Sequence, residues 1–133
     1  MSRWTHVAGI IRVDAIPIAP VMGSLKEVRR IFSENIPEGS EGPLGFDIIP
    51  YPNYEYNVCF CMVVIWGDLR DFGSIEEIEQ IVNWIEERCR KLKEKYYIIR
   101  QGVVQIDDEY GNLVIMHTTG EEWDKMWIKE SEE

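Results

Sequence analysis

The side chains that could do chemistry in this chain are few and scattered. There are two histidines, His6 and His117, and three cysteines, Cys59, Cys61 and Cys89. Neither histidine has a second ligand at the spacing of a zinc site, and no HExxH or CxxC pattern occurs. His6 shares a strand face with Trp4 and Arg12, where it would act as a general acid or base or as a hydrogen-bonded structural group. His117, beside Thr118 and Thr119, is open to the same two readings. Cys59 and Cys61 stand two apart in an apolar run, too distant on one strand face for an easy disulfide, and read as small core residues. Cys89 falls on the apolar stripe of a predicted helix and is a poor nucleophile. Asp107-Asp108-Glu109 lacks the alternate-position pattern of a calcium loop. Gly39-Ser40-Glu41-Gly42 is too short and too acidic for a phosphate-binding loop and has no lysine. No Gly-x-Ser-x-Gly elbow is present. No catalytic residue, metal site or cofactor is therefore assigned.

Contact-making residues are easier to find. Gly39, Ser40, Glu41 and Gly42 form a loop before a strand, and Trp66, Asp68 and Arg70 end the strongest strand. Loops that combine Trp, Arg and Asp concentrate binding energy. Alternatively, Asp68 and Asp71 cap the turn and Arg70 pairs with one of them. Arg12 and Arg100 lie on strands, where a guanidinium needs a carboxylate or a ligand. These nine residues, Arg12, Gly39, Ser40, Glu41, Gly42, Trp66, Asp68, Arg70 and Arg100, are the expected ligand- or partner-binding set. For a phosphate-bearing ligand the arginines would supply planar forks, Trp66 a stacking surface, and the glycine loop its backbone amides. In the other reading the arginines neutralise Asp14, Asp68 and Asp71, and the acidic surface meets a basic protein.

The elements that must position these residues follow from periodicity. Trp4 to Val13 reads as a strand with Thr5, Val7, Gly9, Ile11 and Val13 facing the core and Trp4, His6, Ala8, Ile10 and Arg12 facing away. Pro17 and Pro20 mark a connection. Ser24 and Glu27 form a capping box for a helix over about 24–34. Gly45 to Tyr51 is extended, and Tyr54 to Trp66, apolar on both faces over Val58 to Ile65, reads as a central strand. Ser74 and Glu77 cap a second helix over about 74–94, with Ile75, Ile78, Ile81, Val82, Ile85, Cys89 and Leu92 on one stripe. Tyr96 to Asp107 and Leu113 to Thr118 form a hairpin. Trp123 and Trp127, four apart, suggest a helical turn docking on the body. The order predicts an α+β fold: a ferredoxin-like β-α-β-β-α-β sandwich with an extra C-terminal strand and a short tail. Residues 1–120 form a single domain, and 121–133 an acidic tail with docking tryptophans.

With 133 residues, 45% hydrophobic and 29% charged, the chain is long enough to bury a core without metal or disulfides. Asp and Glu number 24 against 14 Lys and Arg, a net charge of −10. Such a field opposes general nucleic-acid binding and favours solubility or a basic protein partner. The odd cysteine count suits a reducing compartment. No signal peptide or membrane-length apolar run is evident, so a cytoplasmic location is expected.

Three segments together, Trp4-Thr5-His6-Val7-Ala8-Gly9-Ile10-Ile11-Arg12-Val13-Asp14, Glu38-Gly39-Ser40-Glu41-Gly42-Pro43-Leu44 and Gly67-Asp68-Leu69-Arg70-Asp71-Phe72, resemble small uncharacterised proteins of bacteriophages and prophages. The resemblance spans most of the chain and brings no established activity. It implies a non-enzymatic binding protein in the host cytoplasm that antagonises host defence, by binding a defence protein or by sequestering a nucleotide-like signal. A small-molecule enzyme using His6 or His117 and a structural phage component are the alternatives. The uncovered sheet face, with Trp4, His6 and Ile10, leads us to expect a homo-oligomer.

Overall fold

The computed structural model describes residues 3–15, 24–51 and 60–129. The centre is strand β1 (Trp4–Ala15), which pairs antiparallel with β5 (Phe60–Arg70) on one side and β6 (Tyr97–Asp108) on the other. Outside β5 lies β4 (Gly45–Pro50); outside β6 lie β7 (Leu113–Thr118) and β8 (Trp123–Ile128). The six-stranded sheet has the order β4-β5-β1-β6-β7-β8, with every neighbouring pair antiparallel. A separate two-residue hairpin, β2 (Glu38–Gly39) and β3 (Gly42–Pro43), occupies the loop expected before β4.

Two helices complete the α+β architecture. Helix α1 (Leu25–Phe32) starts at Ser24, whose hydroxyl accepts from the Glu27 amide. Only half of the expected box forms there, because the Ser24 amide donates to the Tyr97 hydroxyl. Helix α2 (Ile75–Glu94) has the full capping box of Ser74 and Glu77. Acidic residues in its first turn and Lys91 and Lys93 in its last complement the helix dipole.

Alternation along the strands sends one set of side chains to the helices. Val7, Ile11 and Val13 of β1 meet Cys61, Val63, Ile65 and Leu69 of β5 and Val104 and Ile106 of β6 in one core. The α2 stripe of Ile78, Ile81, Val82, Ile85, Cys89 and Leu92 closes over them, with Val28, Ile31 and Phe32 of α1. Thr5, on the same face, donates its hydroxyl to the Phe72 carbonyl and so is satisfied although fully buried.

Three expectations are corrected. The sheet gains two C-terminal strands, not one. The second is the supposed helical turn: Trp123 and Trp127 lie on β8, paired with Thr118 and Val114 of β7. A spacing of four places residues on one face of a strand as well as of a helix, so it could not discriminate. Trp123 settles the register, for its indole lies over Gly102, where an added Cβ would come within 2.6 Å of Cη2. Finally, β5 does not stop at Trp66 but runs on to Arg70. The Pro17–Pro20 connection and residues 54–59 of the predicted central strand, Cys59 among them, lie outside the described residues.

Replacing Ile81 or Ile85 by Ala should destabilise the protein by roughly 2–5 kcal/mol, since both are fully buried. Gly102→Ala should cost about 1–3 kcal/mol by displacing Trp123 from its seat. Urea melts monitored by circular dichroism would test both, and an unchanged midpoint for either would refute the corresponding contact.

Candidate functional site

The face of the sheet turned away from the helices is the principal feature of the surface. Its rows follow from the strand registers. Trp66 of β5, Ala8 of β1 and Gln105 of β6 stand side by side, followed by Ile115 and Met126. The next row holds Val64, Ile10 and Val103, then His117 and Asp124. Ile10, Trp66 and Val103 are each 49% exposed, and Ile49, Met126 and Ile128 on the same face are comparably open. Among the described residues no element packs over them. Six large apolar side chains on one continuous surface are unusual for a chain with nothing to cover them.

The two ends of this face carry opposite charge. At one end His6 stands between Asp68 and Asp107 in the strand register. Its Nδ1–H donates to Asp68 at 2.6 Å and its Nε2–H to Glu109 at 3.2 Å. Both partners are carboxylates, so the imidazolium is the form that satisfies them. The Asp68 hydrogen bond does most to raise the His6 pKa above its ordinary value; partial burial opposes it and Glu109 adds to it. At the other end lie Arg12 and Arg100. Arg12 stacks its guanidinium over the Tyr51 ring at 4.9 Å. Arg100 donates from Nε to Asp14 at 2.7 Å, across an irregularity where the β1–β6 register shifts after Arg12. Ile10, Arg12, Tyr51, Met62, Gln101 and Val103 bound a shallow cleft of about 300 Å³ there.

The expected binding residues are not gathered into one site. The hairpin residues and Arg70 do meet. Ser40 donates its amide to the Arg70 carbonyl at 2.9 Å and its hydroxyl to Asp71 at 2.8 Å. Arg70 Nη1 donates to Glu41 at 2.7 Å, and the guanidinium approaches the Trp4 ring. Gly39 is required there, because a Cβ would fall 2.8 Å from the Arg70 carbonyl oxygen. Gly42, at φ 128°, turns the hairpin. This corner is closed by contacts within the chain. Arg70 forms an ion pair with Glu41, and Asp68 accepts from His6. Arg12 lies eight strand residues away from the Trp4–Arg70 pair, about 26 Å along β1.

The sequence understated the open face. Met62, Val64 and Trp66 made β5 apolar on both sides, which reads as a strand buried on both sides. Only one side is buried. Val103, Met126 and Ile128 completed the pattern by alternation alone, and that signal was available.

Other groups offer less. Cys61 and Cys89 are buried, and burial pushes the Cys89 thiol up to about 12, which removes it as a nucleophile at neutral pH. Between α1 and α2 is a cleft of about 570 Å³ bordered by Asn35, Gln80, Asn83, Trp84 and Arg88. The buried Arg88 guanidinium donates there to the Ile31 carbonyl and to Glu34, tying the end of α1 to α2. Neither histidine borders this cleft or the one at Arg12. Among the described residues no group of three or more His, Cys, Asp or Glu is arranged to hold a metal ion. No helix among them is long and apolar enough to cross a membrane. Comparison with protein-family models, curated proteins and solved structures returned no match.

The His6 cluster makes stability depend on pH. A raised folded-state pKa stabilises the fold below the unfolded value of about 6.5, and this contribution is lost as pH rises through the folded value. Side-chain exposures of 42% for His6 and 64% for Asp68 keep the effect small. Urea midpoints of the wild type should therefore fall modestly between about pH 6 and pH 8, and His6→Gln should flatten that slope. An equal slope in the variant would show that His6 is not its source.

Proposed function

We propose that this protein is a non-enzymatic protein-binding module that works through the open face of its sheet. The observation that carries this reading is the continuous apolar surface of Ile10, Val64, Trp66, Val103, Met126 and Ile128, bounded by charge at both ends. A surface of this kind loses water-exposed apolar area only by meeting another surface. The centre is apolar and aromatic and the rim is polar, the arrangement of a protein-protein contact.

The ferredoxin-like assignment belongs to the same reading. Its support is that β4, β5, β1 and β6 are consecutive in the sheet, with α1 between β1 and β4 in sequence and α2 between β5 and β6. Strands β7 and β8 would then widen the sheet and its open face. The phage-type role is carried as part of the proposal: of its two expected forms, the protein-binding one has more support than sequestering a nucleotide. A nucleotide site needs converging cations, and here Arg70 and Arg100 pair with Glu41 and Asp14 at opposite ends. The enzyme alternative has less support, since both histidines stand on the open sheet and border neither cleft.

Photo-crosslinking in the cells that make the protein would test the reading. A benzophenone side chain placed at Trp66 or Val103 should give protein adducts, whereas one at Glu79, exposed on α2, should not. Adducts from Glu79 alone, or none from either sheet position, would overturn it.

A further inference from the structure

Resting on that reading, we infer that the open face docks against a second copy of this chain in a two-fold, face-to-face pair with the two-fold axis perpendicular to the strands. The charge pattern selects both the partner and the axis. Asp68, Asp107 and Glu109 lie around His6 and near Arg70 at one end of the face, and Arg12 lies at the other beside Arg100, which is paired with Asp14. A two-fold axis along the strands would stack acid on acid and arginine on arginine. An axis across the strands, in the plane of the contact, reverses strand direction in the partner. It brings Arg12 of each copy over the row of the other in which Asp68 and Asp107 flank His6, and this charge contact is formed twice by one symmetry.

The apolar centre fits the same operation. His6 and Arg12 are equidistant from Gly9 on β1, so the axis crosses the sheet at that level. The row of Ile10, Val64 and Val103 then lies over the partner's row of Ala8, Trp66 and Gln105. Large Ile10 meets small Ala8, and Val64 meets Trp66. This is the interdigitation that aligned sheet packing requires. The area is of the right order as well. Strands about 4.8 Å apart and a rise of about 3.3 Å per residue make this face on the order of 500 Å² in projection. Pleating and side chains bring the accessible surface toward the roughly 800 Å² per partner of a standard interface.

Sedimentation equilibrium at tens of micromolar tests the pair, with folding of each variant checked by circular dichroism. Wild type should sediment with the mass of two chains. Trp66→Glu should give a folded monomer. Arg12→Glu and Asp107→Lys should each weaken association by on the order of tenfold or more, because like charges then face each other twice. An equimolar mixture of these two variants should recover association, since both charge contacts in the mixed pair are again of opposite sign. A monomeric wild type would overturn the inference, and so would a dimer indifferent to Trp66→Glu. Weakening by each single variant without recovery on mixing would overturn the proposed axis, and with it the pairing stated here. The crosslinking separates the two levels of the argument. Trp66 adducts only to a different protein, with a monomeric wild type, would leave the docking surface standing and remove the self-pair. The absence of any sheet-face adduct would remove both.

Discussion

Strand β1 hydrogen-bonds along nearly its whole length to β5 on one side and to β6 on the other. Its period of two therefore decides what every other strand presents. Thr5, Val7, Ile11 and Val13 point to one side and are buried, and the registers carry that choice to Val63 and Ile65 in one direction and Val104 and Ile106 in the other. A slip of one residue would turn all of these to solvent. The helices can then cover only the buried side. Both α1 and α2 bring their apolar stripes to it, and the sheet is six strands wide. Among the described residues nothing covers the opposite side, and its central rows are too apolar for an ordinary solvated surface.

Burial and polar contacts divide along the same line. On the helix side most polar groups that enter the core are satisfied locally, although Arg88 Nε is buried without a hydrogen-bond partner among the described residues. The Thr5 hydroxyl binds the Phe72 carbonyl, Asp108 accepts from the Tyr110 and Asn112 amides, and Arg88 reaches the Ile31 carbonyl and Glu34. These bonds fix turns and helix ends, so they explain why the elements stop where they do. On the open side the charged groups gather at the two ends, with Asp47 and Asp124 at the outer limits of the central row. Hydrogen bonds between His6 and its carboxylates, and between Arg100 and Asp14, neutralise some of this charge without covering the apolar rows between them.

What was legible in the sequence was whatever a single period could report. The stripe from Ile75 to Leu92 and the capping residues Ser74 and Glu77 marked α2 to within a residue, because a period of 3.6 over twenty positions has no competing reading. The two faces of β1 were equally clear. Trp123 and Trp127 were not, since their spacing fits both periods and only the partner strand β7 decides between them. Even clear patterns can mislead about environment. Met62, Val64 and Trp66 alternate as correctly as Cys61, Val63 and Ile65, but periodicity says which residues share a face and not whether that face is covered. The arginines show a further limit. Arg100 found Asp14, the pairing of the alternative reading, whereas Arg70 found Glu41 through the β2–β3 hairpin, a contact between positions 29 apart that no local spacing encodes.

The edges of the sheet narrow the ways in which such a surface can be used. An open strand edge invites pairing with another chain, and proteins discourage it with charge and proline. Here β4 carries Asp47 and ends at Pro50, and β8 carries Asp124 and Lys125. Lys125 is held by Glu86 of α2, which ties the edge strand back to the body of the fold. Both edges are thus short and interrupted by residues that oppose strand addition, while the face between them keeps its apolar rows. Association through added strands would have no intrinsic limit, because each new chain presents a new edge. Association through the face consumes the surface that drives it and stops at a closed pair. Blunted edges beside an apolar face are what the proposed face-to-face pair requires.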